Sequence, residues 1–231
     1  MRSFRRTFLR ASPGLLLPVV VMASTPLPAG FVELRDVVPG IVVELRYATA
    51  ENFVGRPIEG YAQPRAVLTR EAAAALAAVQ AELMAEGFSL KVYDAYRPQR
   101  AVNHFVRWAR DPEDTATKAA YYPDVPKTEL FARGYIALES GHSRGSTVDV
   151  TLIRRRADGS WEALDMGTPY DFFSEVSWPA SEAVTPAQRA NRMRLRAVML
   201  RHGWAPYEEE WWHFTLRDEP FPDTYFDVPL D

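Results

Sequence analysis

The chain has 231 residues, 47% of them hydrophobic and 12% aromatic, enough to bury the core of one globular domain and too apolar for a disordered chain. It has no cysteine, which excludes disulfides, thiolate metal ligands and a cysteine nucleophile. Its 27 basic residues face 30 acidic ones, and setting aside four arginines at the N-terminus leaves 23 and a net charge of −7, which excludes a general attraction for nucleic acid or anionic membranes.

Residues 1–29 differ in kind from the rest. Arg2, Arg5, Arg6 and Arg10 precede the apolar run "GLLLPVVVMAS", with no acidic residue among them. A positive segment followed by an apolar stretch too short to span a bilayer comfortably is the build of an export signal. Arg5 and Arg6, followed by Thr7, Phe8 and Leu9, resemble the twin-arginine signal of proteins exported already folded. The expectation is therefore a periplasmic protein with no stable membrane insertion once the signal is removed, near Ala23 or Ala29. A generic secretory signal or an uncleaved anchor is the alternative.

Residues 30–231 contain no linker and no repeat, and read as a single domain. A strand is expected near Ile41 to Arg46, after Pro39-Gly40. "TREAAAALAAVQAELMAEG" predicts a helix capped by Thr69 and stopped by Gly87. "LKVYDAYRP" predicts a strand that Pro98 ends, with a second helix running to Arg110. Thr147 to Arg155 alternates like a strand, and "ADGS" supplies a hairpin turn into "WEAL". Thr185 and Pro186 open a third helix closed by Gly203, and Trp211 to Leu216 reads as a last strand. Helices and strands that do not alternate regularly predict an α+β domain whose central sheet is mostly antiparallel and flanked by helices. Signatures of dinucleotide binding, phosphate loops and the serine-hydrolase elbow are missing from the sequence.

With thiolates excluded, a metal must be held by imidazole and carboxylate, and the histidines are His104, His142, His202 and His213. In "SGHSRGSTVDV", His142 and Asp149 are separated by an odd spacing, so on one straight strand they would face opposite ways. They converge only if His142 lies on a loop that turns at Gly145. A surface turn with an ordinary strand aspartate is the competing account of this segment. In "EEEWWHF", His213 offers a second nitrogen and Glu210 a carboxylate free to move protons. Two histidines and one aspartate leave a fourth position for water, as a catalytic zinc requires. The spacing from Glu210 to His213 demands a bulge or a strand entry between them. Glu208 and Glu209 read as solvated charges, Trp211 and Trp212 as core and pocket wall, and the whole stretch is equally readable as an acidic rim beside buried aromatics. In "YDAYRPQ", Arg97 is placed to stabilise an oxyanion or clamp a substrate carboxylate, with Asp94 holding it, or simply to tie strand to helix. His104 and His202 read as structural.

Four motifs in order, "DAYRPQ", "SGHSRGSTVDVTL", "DMGTPYDFF" and "EWWHF", resemble the zinc-dependent D-alanyl-D-alanine dipeptidases of the VanX type. The resemblance implies a fold shared with D,D-carboxypeptidases and the zinc-bearing hedgehog domain. It implies one zinc ion per chain on His142, Asp149 and His213, with Glu210 as general base and acid and Arg97 stabilising the oxyanion. It further implies substrate binding by Asp171 and Ser140, near the free ammonium of a small dipeptide, with Asp94 counted in the same group through Arg97. The implied reaction is hydrolysis of D-Ala-D-Ala in cell-wall turnover. The alternatives are a D,D- or L,D-carboxypeptidase acting on longer wall peptides and a zinc-stabilised binding module without turnover. Thr147 stands where the family pattern has a small alanine.

Overall fold

The computed structural model describes residues 25–231. The export-signal expectation therefore lies, up to residue 24, outside the described residues. In chain order the elements are β1 (Phe31–Glu33), α1 (Leu34–Val37), β2 (Val42–Val43), β3 (Val67–Thr69), α2 (Arg70–Ala85), β4 (Phe88–Asp94) and α3 (Gln99–Arg110). There follow α4 (Lys118–Tyr121), β5 (Thr147–Arg155), β6 (Trp161–Ala163), α5 (Pro186–Arg201), β7 (Trp204–Pro206) and β8 (His213–Leu216).

The main sheet runs β2-β4-β5-β8-β7, with β6 also on β5, and only the β2–β4 pair is parallel. This is the expected α+β arrangement with a mostly antiparallel sheet. β1 and β3 form a separate antiparallel pair that the sequence did not announce. β5 is buried on both faces from Thr147 to Ile153, because β4 and β8 flank it and helices pack around them. α2 starts where the Thr69 hydroxyl accepts from Ala72 N and ends before Gly87 at φ +79°. Its buried stripe of Ala72, Leu76, Val79 and Leu83 has the helical period and packs on β4. Truncating Leu76 to alanine there would cost about 2–5 kcal/mol. α5 opens on a capping box, Thr185 with Gln188, and packs on β7.

Three element boundaries differ from expectation. The strand expected from Ile41 to Arg46 shrinks to Val42–Val43, because Arg46–Ala48 winds into a 3₁₀ turn that sends Tyr47 into the core. Asn52 holds that turn through the carbonyl of Thr49 at 2.7 Å. β4 ends at Asp94 rather than at Pro98, since Tyr96 N turns away to Val67 O (2.8 Å) and Arg97 N to His142 O (3.3 Å). β8 begins at His213, two residues later than expected, because Trp211 N donates to Ser177 O outside the sheet.

Candidate active site

His142 sits on a 3₁₀ turn, Gly141–Arg144, ahead of β5, the loop position that its spacing from Asp149 demanded. The turn closes at Gly145 with φ +79°, where a Cβ would lie 2.2 Å from the Phe31 ring, so no side chain fits there. Neighbouring segments fix the turn: Thr69 N donates to Gly145 O at 2.7 Å, Phe226 N to Ser143 O at 2.9 Å, and Leu216 N to Ser146 O at 2.9 Å. Gly141 leaves room for Thr147, whose Oγ1 would lie 2.7 Å from a Cβ there. Thr147 pairs across the sheet with Thr215 (Oγ1 to Oγ1, 2.9 Å) and is fully buried outside the cavity, so its departure from the family pattern does not alter the pocket wall.

Asp149 is aligned by register. Opposed residues in adjacent antiparallel strands share a face, and Asp149 opposes both Asp94 on β4 and His213 on β8. The alignment with Asp94 depends on a bulge between Val92 and Asp94, which adds Tyr93 to β4. His142 Nε2 lies 3.3 Å from Asp149 Oδ1 and 3.3 Å from His213 Nδ1, and His213 Nδ1 lies 3.1 Å from Asp149 Oδ1. Asp149 Oδ1 has no hydrogen-bond partner although both ring nitrogens lie within 3.3 Å of it, while His142 Nε2 and His213 Nδ1 are within hydrogen-bond distance of each other, so all three donor atoms share one small space. His142 Nδ1 lies 2.7 Å from the Ala95 carbonyl, which must accept, so Nδ1 carries the proton and Nε2 turns its lone pair toward the trio. Metal bonds of about 2.0–2.1 Å directed to tetrahedral corners leave donor atoms about 3.3–3.4 Å apart, and the trio fits that spacing. These donors are the described residues able to hold a metal ion. The electrostatics suit the task. Burial alone would raise Asp149, but the imidazoles of His142 and His213 outweigh it and keep the carboxyl ionised, while burial pushes His213 down toward its neutral, ligating form.

The trio lies beside a cavity of about 280 Å³ whose lining includes Asp149, His213, Glu210, Arg97, Asp171 and Ser140. Glu210 occupies the turn just before β8, the strand entry its spacing required, with Oε2 3.7 Å from His213 Nδ1. Burial, followed by the charges of Asp149 and Asp171, pushes Glu210 well above the usual carboxylate range. Arg97 donates from Nε to Asp94 Oδ2 at 2.9 Å, reaches within 3.7 Å of Asp149 Oδ2, and lies over the rings of Tyr47 and Phe105. Asp171 adopts φ +60°, and its carboxyl is raised first by burial and then by Asp149. Its Oδ1 accepts from Tyr47 at 3.2 Å while its buried Oδ2 has no protein partner and is free for a cation in the cavity. The Ser140 hydroxyl caps the His142 turn by accepting from His142 N at 3.3 Å.

Asp94 holds Arg97, as one reading of the sequence expected, but stands apart from the substrate-binding group in which it was also placed. Expected with the substrate-binding residues, it is fully buried and lies outside the cavity lining. Tyr61 at 2.6 Å and Arg97 at 2.9 Å take both its oxygens, so it positions Arg97 and touches no ligand. Sequence reasoning missed a set of buried tyrosines: Tyr61 bonds Asp94, Tyr170 bonds Asp149 Oδ2 at 2.9 Å, and Tyr47 bonds Asp171. The one local signal was Tyr170 beside Asp171 in "DMGTPYDFF". His104 accepts from Glu59 N at 3.1 Å, and His202 pairs with Glu82 at 2.8 Å, both away from the site. Glu208 pairs with Arg196 at the surface, Glu209 accepts from Tyr207, Trp211 is core, and Trp212 is buried in the cavity wall.

A family model described as D-ala-D-ala dipeptidase matches residues 28–231. The chain is 42% identical over 201 residues to a D-alanyl-D-alanine dipeptidase of Enterococcus faecium, covering 87% of this chain and 98% of that protein. It is 45% identical over 200 residues to the D-alanyl-D-alanine dipeptidase of Streptomyces coelicolor, with the same coverage of each chain. It is 35% identical over 185 residues to the one of Escherichia coli, covering 80% of this chain and 83% of that protein. A peptidase-family match over the whole folded domain, together with a His-Asp-His group beside one cavity that could hold a metal, means that the chain belongs to the D-ala-D-ala dipeptidase family of metallopeptidases.

Proposed function

We propose that this protein hydrolyses the dipeptide D-Ala-D-Ala to two D-alanines in cell-wall peptide turnover, with one zinc ion on His142, Asp149 and His213. The observation that carries the reading is the convergence of His142 Nε2, Asp149 Oδ1 and His213 Nδ1 within 3.1–3.3 Å beside Glu210, in a cavity bounded by Asp171. The activity named for the relatives supports the same substrate.

When bound, zinc supplies a Lewis acid that polarises the scissile carbonyl and lowers the pKa of a bound water toward about 7. Glu210 takes a proton from the attacking water and returns it to the leaving amine, so water adds across the amide and no net proton is lost. Its raised pKa suits a group that must both accept and donate. Arg97, clamped by Asp94, presents its remaining guanidinium donors to the developing oxyanion. Asp171 accepts the substrate ammonium through Oδ2, and Ser140 lines the same cavity. An acylated or extended N-terminus lacks that cation and leaves the buried carboxylate unpaired.

The test is D-alanine release from D-Ala-D-Ala by the purified zinc-loaded protein. Activity lost in Glu210→Ala and kept in His104→Ala is expected; full activity without Glu210 refutes the mechanism. Hydrolysis of N-acetylated dipeptide at the rate of the free one would instead mark a carboxypeptidase, and zinc binding without turnover a binding module.

We infer further that the protein is exported through its twin-arginine-like segment. Thr25 bonds Asp231 through both its backbone N and its hydroxyl at 2.8 Å, and Leu27 packs against the core, which favours signal removal nearer Ala23 than Ala29. Mass analysis of the mature N-terminus checks this, and a wholly cytoplasmic protein would overturn it.

A further inference from the structure

Arg192 on α5 is 1% exposed, yet it is not part of the cavity lining. Its Nε donates to Met166 O at 2.6 Å, and its Nη1 donates to Val176 O and Trp178 O, both at 2.8 Å. All three acceptors are backbone carbonyls, and they bracket one excursion of the chain that carries Tyr170 and Asp171. Within the excursion, Ser177 Oγ donates to Phe172 O at 2.6 Å and Phe173 N to Tyr121 O at 2.7 Å. At its tip Asp171 is the one residue other than glycine with positive φ among the described residues. Such a backbone persists only where its surroundings over-determine it. Burial draws the Arg192 guanidinium down to about 10, which leaves it charged at neutral pH, and hydrogen bonds from a charged donor are the strong ones.

We propose that Arg192 is a positioning residue for substrate recognition: by tying both ends of the Met166–Trp178 excursion to α5, it holds Asp171 at the angle that receives the substrate ammonium. The inference rests on the ammonium-binding role given above to Asp171. A planar guanidinium donates along several fixed directions, which a lysine ammonium on a flexible stem does not reproduce, so Arg192→Lys keeps the charge and loosens the tie.

The experiment is a double-mutant cycle on the zinc-loaded full chain, reading KM and kcat for D-Ala-D-Ala in Arg192→Lys, Asp171→Asn and the double variant, with zinc content and melting temperature measured alongside. Arg192→Lys is expected to raise KM about tenfold with kcat within about threefold, at full zinc occupancy. In the Asp171→Asn background the same change should move KM less than about twofold, because the group it acts through is gone. Equal effects of Arg192→Lys in both backgrounds, or an unchanged KM, overturn the positioning role while leaving Asp171 in place. An unchanged KM in Asp171→Asn alone overturns the ammonium reading and this inference with it. Arg192→Gln, which keeps a planar donor without the charge, runs the same cycle should the lysine variant not fold.

Discussion

The two ends of β5 carry charges in opposite circumstances. At its start Asp149 is 2% exposed, flanked by Asp94 and His213 on neighbouring strands and faced by His142 from the preceding turn. At its end Arg154 is exposed and shares Glu162 with Arg156, at 3.1 and 2.7 Å, in the hairpin to β6. The distances are alike, but the solvent is not. An exposed pair contributes about 0–1 kcal/mol, whereas removing one partner of a buried pair costs about 3–5 kcal/mol because the other charge is stranded. One strand therefore builds a reactive site at its dry end and a solvated edge at its wet end, and burial makes the difference.

The largest break is expected at Asp94. Asp94→Ala strands the Arg97 guanidinium beside Asp149 and frees the Tyr61 hydroxyl, at a cost of about 3–5 kcal/mol in unfolding free energy. Because Arg97 loses its clamp, kcat should fall about 10²-fold or more as well. Denaturant titration and steady-state kinetics check both, and a variant that keeps wild-type kcat would show that Arg97 holds its place without Asp94. Gly145→Ala comes next. It forces an alanine into the left-handed region with its Cβ against the Phe31 ring, a strain of about 1–2 kcal/mol from the backbone and about 1–3 kcal/mol from overpacking. Metal affinity should fall with stability, since the turn at Gly145 is what brings His142 over Asp149; titration against a competing chelator is the measurement.

The contrast also marks what was legible in the sequence. Local devices were readable: Thr69 and Gly87 bound α2, Thr185 and Gly203 bound α5, and "ADGS" makes the β5–β6 hairpin. The convergence of His142, Asp149 and His213 was legible only in part: the odd spacing demanded a turn before Asp149, but a surface turn and an acidic rim competed with it until the four motifs were taken together. The bulge at Tyr93 was not readable, since "LKVYDAY" reads as one continuous strand straight through it. The tyrosines that hold the carboxylates were hidden for another reason. Tyr47 lies 124 residues from Asp171 and Tyr61 lies 33 from Asp94, and a hydrogen bond over such separations leaves no trace in local pattern. Arg192 likewise carries no local mark, because its three carbonyl acceptors lie 26, 16 and 14 residues away.

Thr147→Ala sharpens the comparison within the dry end, because Thr147 is as buried as Asp149 but lies outside the cavity. The change removes the hydroxyl contact to Thr215 and should cost about 0.5–1.5 kcal/mol of stability, with kcat and KM unchanged. A shift in KM would mean that the cross-strand threonine pair reaches the pocket through Gly141.

The smallest effect is expected at the wet end, where its pH dependence is informative. Arg156, then Arg154, hold the Glu162 carboxyl down to about 2, against an ordinary value of 4.5. A carboxyl with a lowered folded-state pKa stabilises the fold above its unfolded value, and that stabilisation disappears as pH falls through the folded value. The melting-temperature difference between wild type and Glu162→Gln should thus be small and constant above about pH 5, shrink between about pH 4.5 and 2, and disappear below. Added salt should reduce it at neutral pH, because screening acts fully on exposed pairs and weakly on buried ones. A salt-insensitive difference would mean that the hairpin end is drier than its exposure implies, and the contrast between the two ends of β5 would then need another cause.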